Sequence, residues 1–234
     1  MPRRLHLSFL DYHSGKYFYL LLLLLIWLIG YPLVADFPIA RIAFSVLLTL
    51  TLLASVYAVS QKGHVVRTGL VLAILTFIFE WSAFEFQFWW LEFATVVLFF
   101  LFSAYITGMI VIHVVRQRRV TTDEIFAAIS AYLMIGMTGA LLFVLIDLVV
   151  PGSLSVSSSL GAGGLEVMTF RRVDFPTYLY YGFVTLTTLG YGDINPVSAP
   201  ARVFSYLLAV TGQIYLTVLI AWLVGLYISQ SRKE

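Results

Sequence analysis

Seven consecutive residues, Thr187-Thr188-Leu189-Gly190-Tyr191-Gly192-Asp193, restrict what this chain can become more than any other stretch. The glycines on either side of Tyr191 take positive φ angles at no steric cost, so successive backbone carbonyls can be turned toward one axis. The chain around them is 61% hydrophobic and 11% charged, with a mean hydropathy of +0.95, and this excludes an ordinary soluble domain. Non-helical backbone at membrane depth is tolerated only where it is buried in protein or lines a watery path. A ring of inward carbonyls on such a path can replace the water shell of a dehydrated cation.

The flanks suit that geometry. Asp174-Phe175-Pro176 reads as a helix start, an N-cap acid followed by a first-turn proline. From Thr177 to Thr187 there is room for about three helical turns, too few to cross a bilayer. A short helix leading into a glycine-rich polar turn is a re-entrant helix, and its C-terminal dipole favours a cation at the membrane centre. Pro196 and Pro200 then punctuate a turn before the last apolar run.

At these residues a resemblance is plain. The pentapeptide Thr188–Gly192 matches a known signature, with Leu189 where that signature has Val, and Phe175 to Tyr227 resembles the pore region of tetrameric potassium channels. The whole chain looks like a six-transmembrane bacterial member of that superfamily, with a voltage-gated-like layout. The resemblance implies K⁺ sites formed by the carbonyls of Thr188, Leu189, Gly190 and Tyr191 and the Thr188 hydroxyl, with Gly192 completing the ion-binding run. It implies filter support from Tyr180, Tyr181, Thr187 and Asp193, the tyrosine pair standing where many members have tryptophans that brace the filter tyrosine. Gly212 falls at the inner-helix hinge position, Gln213 faces the cavity, and Leu216, Ile220 and Val224 line the inner path as a gate. Val184 replaces the glutamate that some bacterial members carry behind the filter, so gating through that carboxylate is not expected. Gly212 has two open readings, a bend point or a site of close helix packing.

The rest of the chain divides into spans of about 20 residues. Residues 1–16 form a basic head with Arg3, Arg4, His6, His13 and Lys16; a signal peptide cleaved near Ala35 is the other reading, but the apolar run is too long for it. Spans are expected at Tyr17 to Ala35, Ile39 to Val59, a shorter Val65 to Phe79, Phe93 to Val115, Thr121 to Val150 and Ala201 to Ile228. Between the third and fourth, Glu80 to Glu92 is dense in aromatic and acidic residues, the composition of an interfacial belt. Thr121 and Glu124 are spaced as a capping box that opens the fifth helix. Gly152 to Gly164, rich in serine and glycine, reads as a flexible outer turret. The expected domains are 1–16 (head), 17–120 (four-helix unit), 121–230 (pore unit) and 231–234 (tail). The fold class is an all-α membrane protein: six transmembrane helices, a re-entrant pore helix and a filter, in a tetrameric pore.

Six spans place both termini on one side, where ten of the fourteen lysines and arginines also fall (3, 4, 16, 62, 67, 116, 118, 119, 232 and 233). Positive residues mark the cytoplasmic side. The termini are therefore expected there, in a cell membrane, with the filter near the outer face. The fourth span has no lysine or arginine from Phe93 to Val115, so it lacks the buried charges that a voltage sensor moves. Weak voltage dependence follows. His113 reads as a satisfied interfacial histidine, with proton sensing as the sharper alternative. Asp147 either pairs with the outer arginines or faces water, and Glu80, Glu85 and Glu92 read as a solvated acidic loop.

No cysteine is present, which excludes disulfides and thiolate metal sites. The four histidines are scattered and no hydrolase motif occurs, so an enzyme is not expected. The expected function is passive, selective K⁺ conduction by a homotetramer in a lipid bilayer. No cofactor, nucleic acid or small-molecule substrate is expected, K⁺ being the permeant ion. A poorly selective cation channel and a non-conducting sensor or transporter are the competing readings.

Overall fold

A computed structural model describes residues 15–34, 38–58, 63–86, 88–117, 121–157, 165–167 and 175–231, without the side chains of 34, 38–45, 63–65, 84–85, 157, 165–167, 223–224 and 226–231. The basic head up to His13, Lys62, Arg118, Arg119, Arg171, Arg172, Asp174, Arg232, Lys233 and the turret residues 158–164 lie outside the described residues. So do the side chains of Glu85 and Val224.

In chain order the elements are α1 (Lys16–Val34), α2 (Pro38–Ala58), α3 (Gly63–Phe86), α4 (Trp89–Arg116), α5 (Thr122–Val149), β1 (Leu154–Ser157), β2 (Leu165–Val167), α6 (Phe175–Leu186), β3 (Ile194–Pro196) and α7 (Ala199–Ser231). Among the described residues five helices are long and apolar enough to cross a membrane, and α2 adds a shorter apolar stretch, Val46–Ala58. The third span is longer than expected. Its helix continues through Glu80 and Trp81 to Phe86, and α4 begins at Trp89, so Glu80 and Glu92 sit on helices and not on an acidic loop. Helix continues here because nothing in 80–86 breaks it: no proline, no glycine.

Hydroxyl side chains inside these apolar helices are satisfied by their own backbone. Thr51, Ser55, Thr76, Thr107 and Thr138 each donate to the carbonyl four residues earlier, at 2.6–2.8 Å. In a hydrocarbon surrounding this is the cheapest way to bury them.

Helix α5 is the hub. It packs against α1, α4, α6 and α7, and 61% of its apolar window is buried, against 6% for α7. Thr121 caps it, accepting from the Glu124 backbone N–H at 3.3 Å, as the capping-box spacing predicts. The Glu124 carboxylate lies 3.2 Å from His113 Nε2, and the imidazole stacks on Tyr17 at 5.1 Å, so His113 joins α1, α4 and α5. Midway along the α4–α5 contact, Ser103 and Thr138 share a hydroxyl hydrogen bond of 2.7 Å. Small residues let two elements approach closely: a Cβ on Gly182 of α6 would sit 3.1 Å from the Ala140 backbone nitrogen of α5.

The purely helical expectation needs one amendment. The turret contributes β1 to a three-stranded antiparallel sheet of order β2-β1-β3, in which β1 pairs with β3 through Leu154–Pro196, Ser155–Asn195 and Val156–Ile194. Leu154, Ser155 and Val156 therefore belong to ordered structure, and Pro196 ends a strand where a simple turn was expected. Only long-range pairing makes this strand, and composition carries no sign of it.

Candidate functional site: a short helix, a left-handed turn and an inner helix

Helix α6 is twelve residues long and enters the fold with Phe175 buried and Pro176 in its first turn. Trp27 and Tyr31 of α1 hold that end, with ring centroids 5.7 and 6.2 Å from Phe175. At the other end the chain leaves by a Schellman motif. The Leu189 N–H reaches the Val184 carbonyl at 2.9 Å and the Thr188 N–H reaches the Thr185 carbonyl at 3.0 Å. Such a motif needs a left-handed residue at the second donor's position, and Thr188 supplies it with φ +58°.

Glycine is the usual residue there, and a β-branched residue at positive φ is an outlier. Left-handed backbone then recurs at every second position, Gly190 at +57° and Gly192 at +79°, while Leu189 and Tyr191 between them keep negative φ. This alternation of hand reverses the tilt of each peptide plane and lets successive carbonyls face one side. The two glycines are legible in the sequence. Thr188 is not, because no propensity assigns a threonine to that region.

Thr187, Thr188, Leu189, Gly190, Tyr191 and Gly192 are all exposed on the single chain, Leu189 at 55% and Tyr191 at 66%. Thr187 bonds back to Phe183, and the Thr188 hydroxyl donates to the Thr187 carbonyl at 2.7 Å. Gln213 of α7 donates its amide to that same hydroxyl at 3.0 Å, so the polar residue of the apolar last helix sits directly beside the turn. Gly212 lies against the last carbonyl of α6, where any Cβ would clash with the Leu186 oxygen. Of its two readings, close packing is the one seen; α7 runs as one helix through this point.

The two tyrosines of the pair have different partners. Tyr180 donates to Asp193 Oδ2 at 2.5 Å. Tyr181 is buried, shares a 2.6 Å hydrogen bond with Ser205 of α7 and meets Phe143 of α5 edge-on at 4.7 Å. Hydroxyl tips seek polar partners, and these two find them in Asp193 and Ser205. Asp193 also accepts from the Ile194 N–H at 3.0 Å, and the Asn195 amide donates to the Gly192 carbonyl at 2.8 Å. Val184, behind the turn, is buried.

Farther along α7, Leu216 is half-buried and Ile220 is exposed, so beyond Gln213 the helix carries Leu216 and Ile220 away from the turn. Tyr215, on the other face, donates to the Ala128 carbonyl of α5 at 2.7 Å and fixes the rotation of α7.

Asp147 does not face water, which removes one of its two readings; the outer arginines Arg171 and Arg172 of the other lie outside the described residues. It is fully buried and takes hydrogen bonds from Ser153 and Tyr178. Among the described residues no group of three metal-ligating side chains occurs. No curated protein matches the chain. Residues 140–228, from the middle of α5 to near the end of α7, match a family model described as ion channel, and over that stretch the chain is similar to ion channels.

Proposed function

We propose that the chain is one subunit of a potassium-selective channel, a homotetramer in which four copies of the Thr188–Gly192 turn surround an axis in the lipid bilayer. The observation that carries the reading is the alternation of left-handed backbone at Thr188, Gly190 and Gly192 immediately after a short buried helix. A carbonyl-lined path replaces the hydration shell of a cation without ionised side chains. The exposure of the turn and of the apolar face of α7, including Phe204, Leu207 and Val210, supports further copies around the axis. Identical chains close such a contact by cyclic symmetry. The similarity of residues 140–228 to ion channels supports the same assignment.

In this mechanism K⁺ moves passively down its gradient, in single file between sites at Thr188, Leu189, Gly190 and Tyr191. Gln213 steadies the Thr188 hydroxyl at the inner site. Leu216, Ile220 and Val224 form the apolar inner path, which closes by dewetting. The four-helix unit senses little voltage, since α4 carries no arginine before Arg116.

Flux into liposomes with K⁺ and Na⁺ in competition tests the proposal, with Thr188→Ala beside the wild type. The expected outcome is a K⁺ preference that the variant loses. Equal passage of K⁺ and Na⁺ by both proteins returns the decision to a poorly selective cation channel. The tyrosine pair keeps that second reading open, since the Tyr180 and Tyr181 hydroxyls bond to Asp193 and Ser205. Reversal potentials in mixed K⁺ and Na⁺ separate the two.

A further inference from the structure

The end of α5 nearest the sheet carries a buried carboxylate that the reading above does not use. Asp147 is fully buried, as is Ser153, and Tyr178 is nearly so. One carboxylate oxygen accepts the Ser153 backbone N–H at 2.8 Å and the other accepts the Tyr178 hydroxyl at 2.8 Å. Both partners are neutral. No cation stands beside it among the described residues; burying such a carboxylate is expensive, and membrane proteins retain such groups where they serve the working site.

From Asp147 two arms of hydrogen bonds run to the exit of the Thr187–Asp193 turn. The first passes through Ser153, whose carbonyl accepts from the Val197 N–H at 2.8 Å and whose hydroxyl accepts from Ser198 at 2.9 Å. The next residue, Leu154, opens β1, which pairs along its length with β3. Strand β3 is continuous with Asp193, and Asn195 within it holds the Gly192 carbonyl. The second arm passes through Tyr178 into α6, where Tyr180 grips Asp193 from the other side. Gly192 and Asp193 are thus clamped between two structures that Asp147 joins at their base.

We infer that Asp147 is a positioning residue for the ion path, a buried anchor that fixes where the outer end of the carbonyl-lined turn stands relative to α6. It touches no ion. A carboxylate suits the place because it offers an acceptor to each arm, whereas an amide offers one acceptor and one donor. The inference rests on the channel reading proposed above.

Asp147→Ala, Asp147→Asn and Tyr178→Phe, assayed in liposomes for K⁺ over Na⁺ flux, test it. Ile110→Ala serves as a control; Ile110 is fully buried on α4, away from the turn, and its truncation lowers thermal stability without touching either arm. Asp147→Ala and Tyr178→Phe are expected to lower the K⁺ preference about tenfold, the order associated with one lost charge-assisted hydrogen bond. Asp147→Asn keeps one acceptor and is expected to fall between them and the wild type, while Ile110→Ala keeps the wild-type ratio. Wild-type preference in Tyr178→Phe and Asp147→Ala, whatever their melting temperatures, overturns the inference, and so does an equal loss in Ile110→Ala. Should Asp147→Ala fail to fold, Tyr178→Phe, which removes one oxygen and no volume from the core, decides alone. A wild type with no K⁺ preference removes the channel reading itself, and the inference with it.

Discussion

Thr188 holds a backbone conformation that its side chain disfavours, at an estimated cost of about 1–3 kcal/mol. The Schellman geometry at the end of α6 demands it, and the hydroxyl it presents is the one that Gln213 meets. Stability and function are therefore set against each other at this position. Thr188→Gly is expected to raise the melting temperature, by relieving roughly 1 kcal/mol, while reducing K⁺ preference; thermal unfolding and flux on the same preparation read both signs. Gly212 is under the opposite constraint, since the Leu186 carbonyl occupies the space of a side chain. Gly212→Ala should cost about 1–3 kcal/mol by overpacking, and a melting temperature equal to wild type would sink the close-packing account.

The elements are held to one another by a few polar contacts set in apolar surfaces. Between α4 and α5 the Ser103–Thr138 hydrogen bond is one, and the Thr138 hydroxyl has another use: it also donates to the Met134 carbonyl of its own helix. Because the alternative partner is so close, the interhelical bond is worth little. A double-mutant cycle of Ser103→Ala and Thr138→Ala is expected to give a coupling near 0.6 kcal/mol, as is usual between membrane helices. A coupling of several kcal/mol would mean that this contact, and not the apolar packing around it, binds α4 to α5. The sheet that caps the turn works differently. Its strands are short, and their register is set by what lies at either end, Ser153 and Asp193.

Across the whole molecule, α1 and α4 lie directly on α5, with a connection of residues 117–121 between α4 and α5. Both helices thus bear on α5 by side-to-side packing. A conductance–voltage relation in a planar bilayer is expected to be shallow, because each charge moved fully across is worth about 2.3 kcal/mol per 100 mV and α4 holds no lysine or arginine before Arg116. A steep curve would refute that. On the inner side, Ile220→Ser is expected to raise closed-state leak by wetting the path, measured as flux without stimulus; unchanged leak would discard the apolar gate.

What the amino-acid order determined alone is local. Long apolar runs dictate helices by length and composition, Thr121 dictates where α5 starts, and Gly190 and Gly192 announce a turn that only glycine adopts freely. These signals need no partner, so they survive reading one residue after another. The tertiary structure decided whatever depends on residues distant in the chain. It turned Leu154–Ser157 into a strand, sent Tyr180 to Asp193 and Tyr181 to Ser205, and set Gly212 against Leu186. It also enclosed Asp147, an acid that reads as solvated or arginine-paired until Ser153 and Tyr178 close over it. Burial and left-handed strain at a threonine are properties of the packed state: each exists only where neighbours far along the chain supply the hydrogen bonds that hold it.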